Sequence, residues 1–269
     1  MLPYYTATSI EKAPLVGGST QPCLLLATEH NGTPVGSYVV KIFKQRNIEQ
    51  INGTAKEVYA NVLAKHFDIA VPDAALIHVE QWLINELKKL PAYATWDITE
   101  GVYFGTKYIT GGIDYAEAVR HKIDIWEKEN IFAFDALIRN VDRTPRKTNL
   151  FLTNDATFLI DHELSLKFTD TFAEYLRRKD WTFLVANPKG GSHLFFNDLR
   201  DYHKKEGITF DQFAENLRTL KPERLLRQEA EQLEEFGIAT IDYPPIERYL
   251  KTAVQETTLF IENLKTLLT

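Results

Sequence analysis

Residues 134–165, FDALIRNVDRTPRKTNLFLTNDATFLIDHELS, constrain the fold more than any other stretch of the chain. The opening run carries apolar residues at helical spacing, Pro145 cannot continue a helix, and two short apolar runs then flank a turn. NLFLT and TFLID, either side of Asn154-Asp155-Ala156, read as a hairpin. Asp142 stands at the break, Asn149 at the head of the first run and Asp161 at the end of the second. A hairpin folds its two ends together, so this pattern predicts Asn149 and Asp161 side by side, next to the loop that carries Asp142. A base and two oxygen ligands would then meet where regular structure stops.

The rest of the chain divides around a glycine pair. Residues 1–110 read as strand-rich. PCLLLATEH and GSYVVKIF, joined by the Asn31-Gly32 turn signal, predict a hairpin. NGTAKEVYANVLAKHF follows with Val58, Val62, Leu63 and Phe67 at helical spacing, and Thr54 and Glu57 form the pattern of a capping box. AALIHV, WLINEL and VYFGTKYI are further short runs, and TGGID after them is the expected hinge. Residues 111–269 are mostly helical, beginning with KIDIWEKENIFAFDALIRN and ending in four long helical stretches. A strand-rich front and a helical back describe an α+β fold of two lobes, a smaller N-lobe over 1–110 and a larger C-lobe over 111–269, with a cleft between them.

Composition narrows the function. The chain has 269 residues, enough for a sizeable core, and a net charge of −6, which lacks the basic excess of a nucleic-acid footprint. Cys23 is the single cysteine and leads the apolar run CLLLA, so it reads as a buried small hydrophobe in a reducing compartment. The seven histidines show no zinc-ligand spacing. The N-terminus lacks the pattern of a signal peptide, and no apolar run is long enough to span a membrane. The expectation is a soluble, cytoplasmic protein.

Phosphoryl transfer with Mg²⁺ suits three such oxygen-bearing side chains. The ion takes hard oxygen ligands, usually one or two side chains plus nucleotide phosphates, and a separate aspartate can take the acceptor's proton. The segment DALIRNVDRTPRKTNLFL…FLIDHELS resembles the catalytic segment of the HipA-like kinases, a branch of the protein-kinase-like fold. The type II phosphatidylinositol 4-kinases share the plan more distantly. The resemblance implies Asp142 as catalytic base and Asn149 and Asp161 as metal ligands. YVVKIF resembles the kinase strand whose lysine holds the ATP phosphates, here Lys41, with Glu57 as its partner. Glu57 thus has two readings, ion-pair partner or capping-box acid. VGGSTQP resembles the family's phosphate loop, implying Gly17, Gly18, Ser19 and Thr20 at the phosphates, with Ser19 matching a serine that is autophosphorylated in the family. Tyr108 and Ile109 would lie against the adenine. Departures from ordinary protein kinases are plain: seven residues separate Asp142 from Asn149, RNVDR replaces HRD, DHE replaces DFG, and no G-x-G-x-x-G is present.

The implied function is an ATP- and Mg²⁺-dependent serine/threonine kinase acting on a protein, itself included, with an antitoxin-like partner left open. Two other readings stay in view: a nucleotide-binding pseudokinase or scaffold, and a lipid or small-molecule kinase. Arg143, Arg146 and Lys147 read either as solvated loop charges or as contacts to phosphate or an acidic substrate.

Overall fold

Strict alternation in CLLLAT produces the most regular strand of the molecule. Cys23, Leu25 and Ala27 are fully buried while the residues between them are half-buried. The computed structural model describes residues 1–15, 21–44, 52–115, 117–167, 178, 193–238, 240 and 243–269. It is α+β, and its contacts divide it into two units.

The first unit comprises Met1–Val58, Pro72–Gly111 and Gln228–Thr240. Its strands are β1 (Tyr4–Lys12), β2 (Cys23–Thr28), β3 (Pro34–Val40), β4 (Ala74–Val79) and β5 (Gly101–Lys107). They form a closed barrel in the order β1-β2-β3-β5-β4, completed by parallel pairing of β1 with β4. Closure leaves no unpaired edge. The expected β2–β3 hairpin forms, and Gly32 takes φ +86° in its turn. β1 is not among the expected strands. Of its residues only Ala7 is buried, and two register shifts bend it around the barrel. WLINEL, read among the strand-like runs, lies instead in helix α2 (Gln81–Lys88), after α1 (Gly53–His66). Leu83, Ile84 and Leu87 are its buried face, a helical spacing, and they pack into the barrel core with Ile77, Tyr93 and Trp96. Burial pushes the Cys23 thiol up to about 12, so this cysteine serves packing rather than nucleophilic chemistry.

The second unit comprises Tyr59–Val71, Gly112–Arg227 and Ile241–Thr269. Its centre is α3 (Ile125–Ile138), whose last eight residues, IFAFDALI, are all buried. A helix apolar on every side belongs in the middle of a bundle. Around it stand α4 (Phe196–Glu206), α5 (Asp211–Thr219), α8 (Tyr243–Gln255) and α9 (Thr257–Leu267). The Phe67 ring lies 5.9 Å from Phe134 and 4.5 Å from Phe213, which continues to Phe260 at 6.1 Å. Tyr249 of α8 donates its hydroxyl to the Leu137 carbonyl at 2.5 Å, satisfying one of the carbonyls that the end of α3 leaves free. The helical stretch at 222–235 breaks into α6 (Pro222–Leu225) and α7 (Arg227–Glu235), and α7 counts with the first unit from Gln228 onward. α4 was not expected, and the helix expected over 170–180 lies outside the described residues, apart from Arg178. No helix among the described residues is long and apolar enough to cross a membrane.

Strands β7 (Leu150–Leu152) and β8 (Thr157–Leu159) form the expected hairpin, with Leu150 opposite Leu159, and β6 (Ile113–Asp114) adds a third strand. The glycines before β6 are needed for different reasons. Gly111 has φ +75°, and a Cβ on Gly112 would fall 2.0 Å from the Phe151 ring. Gly112→Ala is therefore expected to lower stability by about 1–3 kcal/mol through overpacking. Phe151→Leu should relieve that loss in the double variant, yet leave the cost of Gly111→Ala unchanged. Chemical denaturation of the wild type, the three single variants and the two double variants measures this.

Candidate active site

A charged residue inside IFAFDALI needs a partner, because an unpaired carboxylate in that setting is severely penalised. Asp135 is 1% exposed and finds its partner in Arg143, the largest fully buried side chain among the described residues. Arg143 Nε donates to Asp135 Oδ2 at 2.5 Å and Nη2 to Oδ1 at 3.3 Å, a two-pronged pair. Asn140 Nδ2 donates to Oδ1, and His193 Nε2 lies 2.9 Å from Oδ2. With the Phe195 N–H donating to its Nδ1, His193 carries its proton on Nε2. Burial alone would raise the Asp135 pKa, but the Arg143 charge and the His193 hydrogen bond outweigh it and hold the carboxyl at about 2. This corrects one reading of the sequence: Arg143 is neither a solvated charge nor a substrate contact.

The rest of that guanidinium organises the loop. Nη1 donates to the Asn149 carbonyl at 2.5 Å and the Thr148 carbonyl at 3.3 Å, while Nη2 lies 3.3 Å from His162 Nε2. One side chain thus reaches the backbone of Asn149 and the neighbour of Asp161, and it follows Asp142 directly in sequence. Thr144 and Lys147 exchange backbone hydrogen bonds of 2.9 and 3.1 Å around Pro145 and Arg146. The long spacing from Asp142 to Asn149 is that turn, with Arg146 exposed at its tip.

Asn149 and Asp161 flank the β7–β8 hairpin at one end, where the Ile160 N–H donates to the Asn149 carbonyl at 3.1 Å. Both have left-handed backbones, φ +49° and +65°, which Asn and Asp tolerate better than most residues. Asn149 Nδ2 lies 3.5 Å from Asp142 Oδ2. Lys147 pairs with Asp142 Oδ2 and, at 3.1 Å, with Asp161 Oδ2, so one ammonium ties both carboxylates. Its partial burial works against the charge, but the two aspartates prevail and raise its pKa. Carboxylate oxygens of Asp161 and of buried Glu163 come within 4.8 Å of each other. Asp161 and Glu163 offer carboxylate oxygens, the donor type a hard divalent cation takes. Glu163 was not singled out as a site residue, and Lys147, read as a loop charge or a substrate contact, instead pairs with two aspartates; both lie within the segment that drew attention to the loop.

In the first unit, Lys41 continues β3, its N–H donating to the Phe104 carbonyl at 3.1 Å. Its side chain is 13% exposed, and its ammonium is ion-paired with Glu57. The helix begins at Gly53, which puts Thr54 inside the first turn rather than at the cap, so the capping-box reading gives way to the ion pair. Tyr108 follows β5, anchored by its N–H to the Ser37 carbonyl at 2.9 Å with the ring 46% exposed, and Ile109 beside it is half-buried. Gly17, Gly18, Ser19 and Thr20 lie outside the described residues. On either side of them the Leu15 N–H meets the Pro22 carbonyl at 2.7 Å.

A family model described as HipA-like kinase matches residues 14–234. A search of curated proteins found no match. Among solved structures, the crystal structure of a Helicobacter pylori proinflammatory kinase, CtkA, aligns over 99% of this chain and 98% of its own, with a TM-score of 0.52 and 13% identity. That likeness is one of fold.

The Asp135 carboxyl has a folded pKa below its ordinary value near 3.8, so its contribution to stability is complete above about pH 4 and fades as pH falls toward 2. Asp135→Asn should lack that part of the pH–stability profile. Asp135→Ala, which strands a buried guanidinium, is expected to cost about 3–5 kcal/mol in denaturant unfolding at neutral pH.

Proposed function

The chain belongs to the HipA-like kinase family, and we propose that it transfers the γ-phosphoryl group of ATP, with Mg²⁺, to a Ser or Thr hydroxyl of a protein. The observation that carries this reading is the grouping of Asp142, Asn149 and Asp161 at one end of the β7–β8 hairpin. In this reading Asp142 Oδ2 orients the acceptor hydroxyl and takes its proton. Asn149 and Asp161 hold Mg²⁺, with Glu163 near enough to support Asp161. The ion, when bound, neutralises charge on the phosphates. Lys41, kept in place by Glu57, holds the α- and β-phosphates, Gly17–Thr20 cover them, and Tyr108 and Ile109 flank the adenine. Lys147 keeps two carboxylates close without like-charge repulsion. The finer architecture belongs to the same proposal: a kinase-like N-lobe over residues 1–110 and a catalytic C-lobe over 111–269.

Two variants separate the roles. Asp161→Ala should abolish the thermal stabilisation that Mg-ATP gives the wild type. Asp142→Ala should retain that stabilisation and lose transfer, measured as autophosphorylation or ATP turnover, by about 10²–10⁴-fold. Full turnover in either variant would overturn the assignment, and binding without turnover in the wild type would make the protein a nucleotide-binding scaffold.

A further inference from the structure

Three cations crowd the loop between Asp142 and Asn149, and each has a different place. Arg143 is buried against Asp135, Arg146 stands exposed at the tip of the turn, and Lys147 reaches between two carboxylates. Its ammonium holds the oxygen of the proposed base, Asp142 Oδ2, and at 3.1 Å the Oδ2 of Asp161, a proposed metal ligand. We propose that Lys147 is a resident counterion that competes with a divalent cation for Asp161, so that the site binds the bare ion weakly and takes it up together with nucleotide phosphates. The inference rests on the phosphotransfer proposed above and concerns how that same site admits its metal.

The backbone that carries this ammonium is fixed on both sides, within the second unit. Before it, Lys147 and Thr144 exchange backbone hydrogen bonds of 2.9 and 3.1 Å, and the Lys147 N–H also lies 3.2 Å from Thr144 Oγ1. After it, Arg143 holds the carbonyls of Thr148 and Asn149. The side chain itself is 38% exposed, so it can give up Asp161 without disturbing the core.

Charge decides what such a contact does. Asp142 and Asp161 bring two negative charges, and Lys147 cancels one of them. A divalent ion that takes Asp161 Oδ2 meets an ammonium already on that oxygen, and the two repel. The side chains of Asp142 and Asp161 are 23% and 18% exposed, so water screens that repulsion incompletely. Affinity for a hard cation follows the charge of its ligands, which Lys147 therefore lowers.

Nucleotide phosphates reverse the balance. They add several negative charges beside the ion, and Mg²⁺ is ordinarily held by one or two side chains plus such phosphates. Lys147 attracts that complex, yields Asp161 Oδ2 and stays on Asp142. Metal uptake is thereby tied to nucleotide uptake through one side chain.

Mn²⁺, which takes the same oxygen ligands as Mg²⁺ and is counted directly by its paramagnetic signal, is the probe. Titrated into the full chain without nucleotide, it should bind Lys147→Gln at least about tenfold more tightly than the wild type. Lys147→Met should behave in the same way, and Lys147→Arg should resemble the wild type. Arg146→Gln removes an equal charge from the same turn and should leave the affinity unchanged. With a non-hydrolysable ATP analogue present, the gap between Lys147→Gln and the wild type should close. Equal Mn²⁺ binding by the wild type and both uncharged variants, or the same gain in Arg146→Gln, overturns the proposal. Adding Asp161→Ala to Lys147→Gln tells which reading fails. Loss of the gain supports competition at Asp161, whereas a gain that survives removes Asp161 from the metal site and takes the phosphotransfer assignment with it. If Lys147→Gln gains nothing while Asp161→Ala still abolishes stabilisation by Mg-ATP, only the counterion role falls.

Discussion

A single buried ion pair, Asp135 with Arg143, organises the second unit. Desolvating two charges is expensive, and such a pair rarely stabilises a fold more than apolar residues of the same volume. What it contributes is specificity of arrangement. Arg143 donates to Asp135 of α3 and to the backbone carbonyls of Thr148 and Asn149, and it lies 3.3 Å from the ring of the residue after Asp161. Movement of the loop by an ångström would strand a guanidinium in the core. The loop is therefore rigid for an electrostatic reason rather than through packing alone, which suits residues that must hold their geometry.

Around that pair, the conformations of Asn149 and Asp161 fit their side chains. Both residues take a backbone that most side chains avoid, side by side at the same end of one hairpin. Strain of this kind persists where surrounding structure enforces it. Here the enforcing contacts are the Arg143–Asn149 hydrogen bond and the Ile160–Asn149 hydrogen bond. Lys147 then balances the charges that the arrangement brings together.

Much of this was readable from residue pattern. The β7–β8 hairpin announced itself because two apolar triplets flank a polar turn, and Asn149 and Asp161 stood out because they interrupt regular structure. The family resemblance rested on the same thirty or so residues, and the family match extends it to 14–234. Less visible was Arg143, because an arginine in a loop beside two other cations reads as surface. The available signal was Asp135, an acid in an otherwise apolar octet, which required a buried cation somewhere. β1 escaped notice because a strand with one buried residue leaves no alternation to detect. α2 was misjudged because WLINEL is too short for its period to be distinguished from a strand's.

The start of the chain is held by a segment synthesised far later. Leu2 and the Gln232 amide exchange two hydrogen bonds, of 2.9 and 2.8 Å, the terminal amine meets Glu229 at 3.0 Å, and the Tyr4 ring stacks on Phe236 at 4.5 Å. The first strand leaves the ribosome long before these partners exist. During translation the barrel strands can therefore pair before α7 exists, and a fragment ending after the last barrel strand would expose the surface that α7 normally covers.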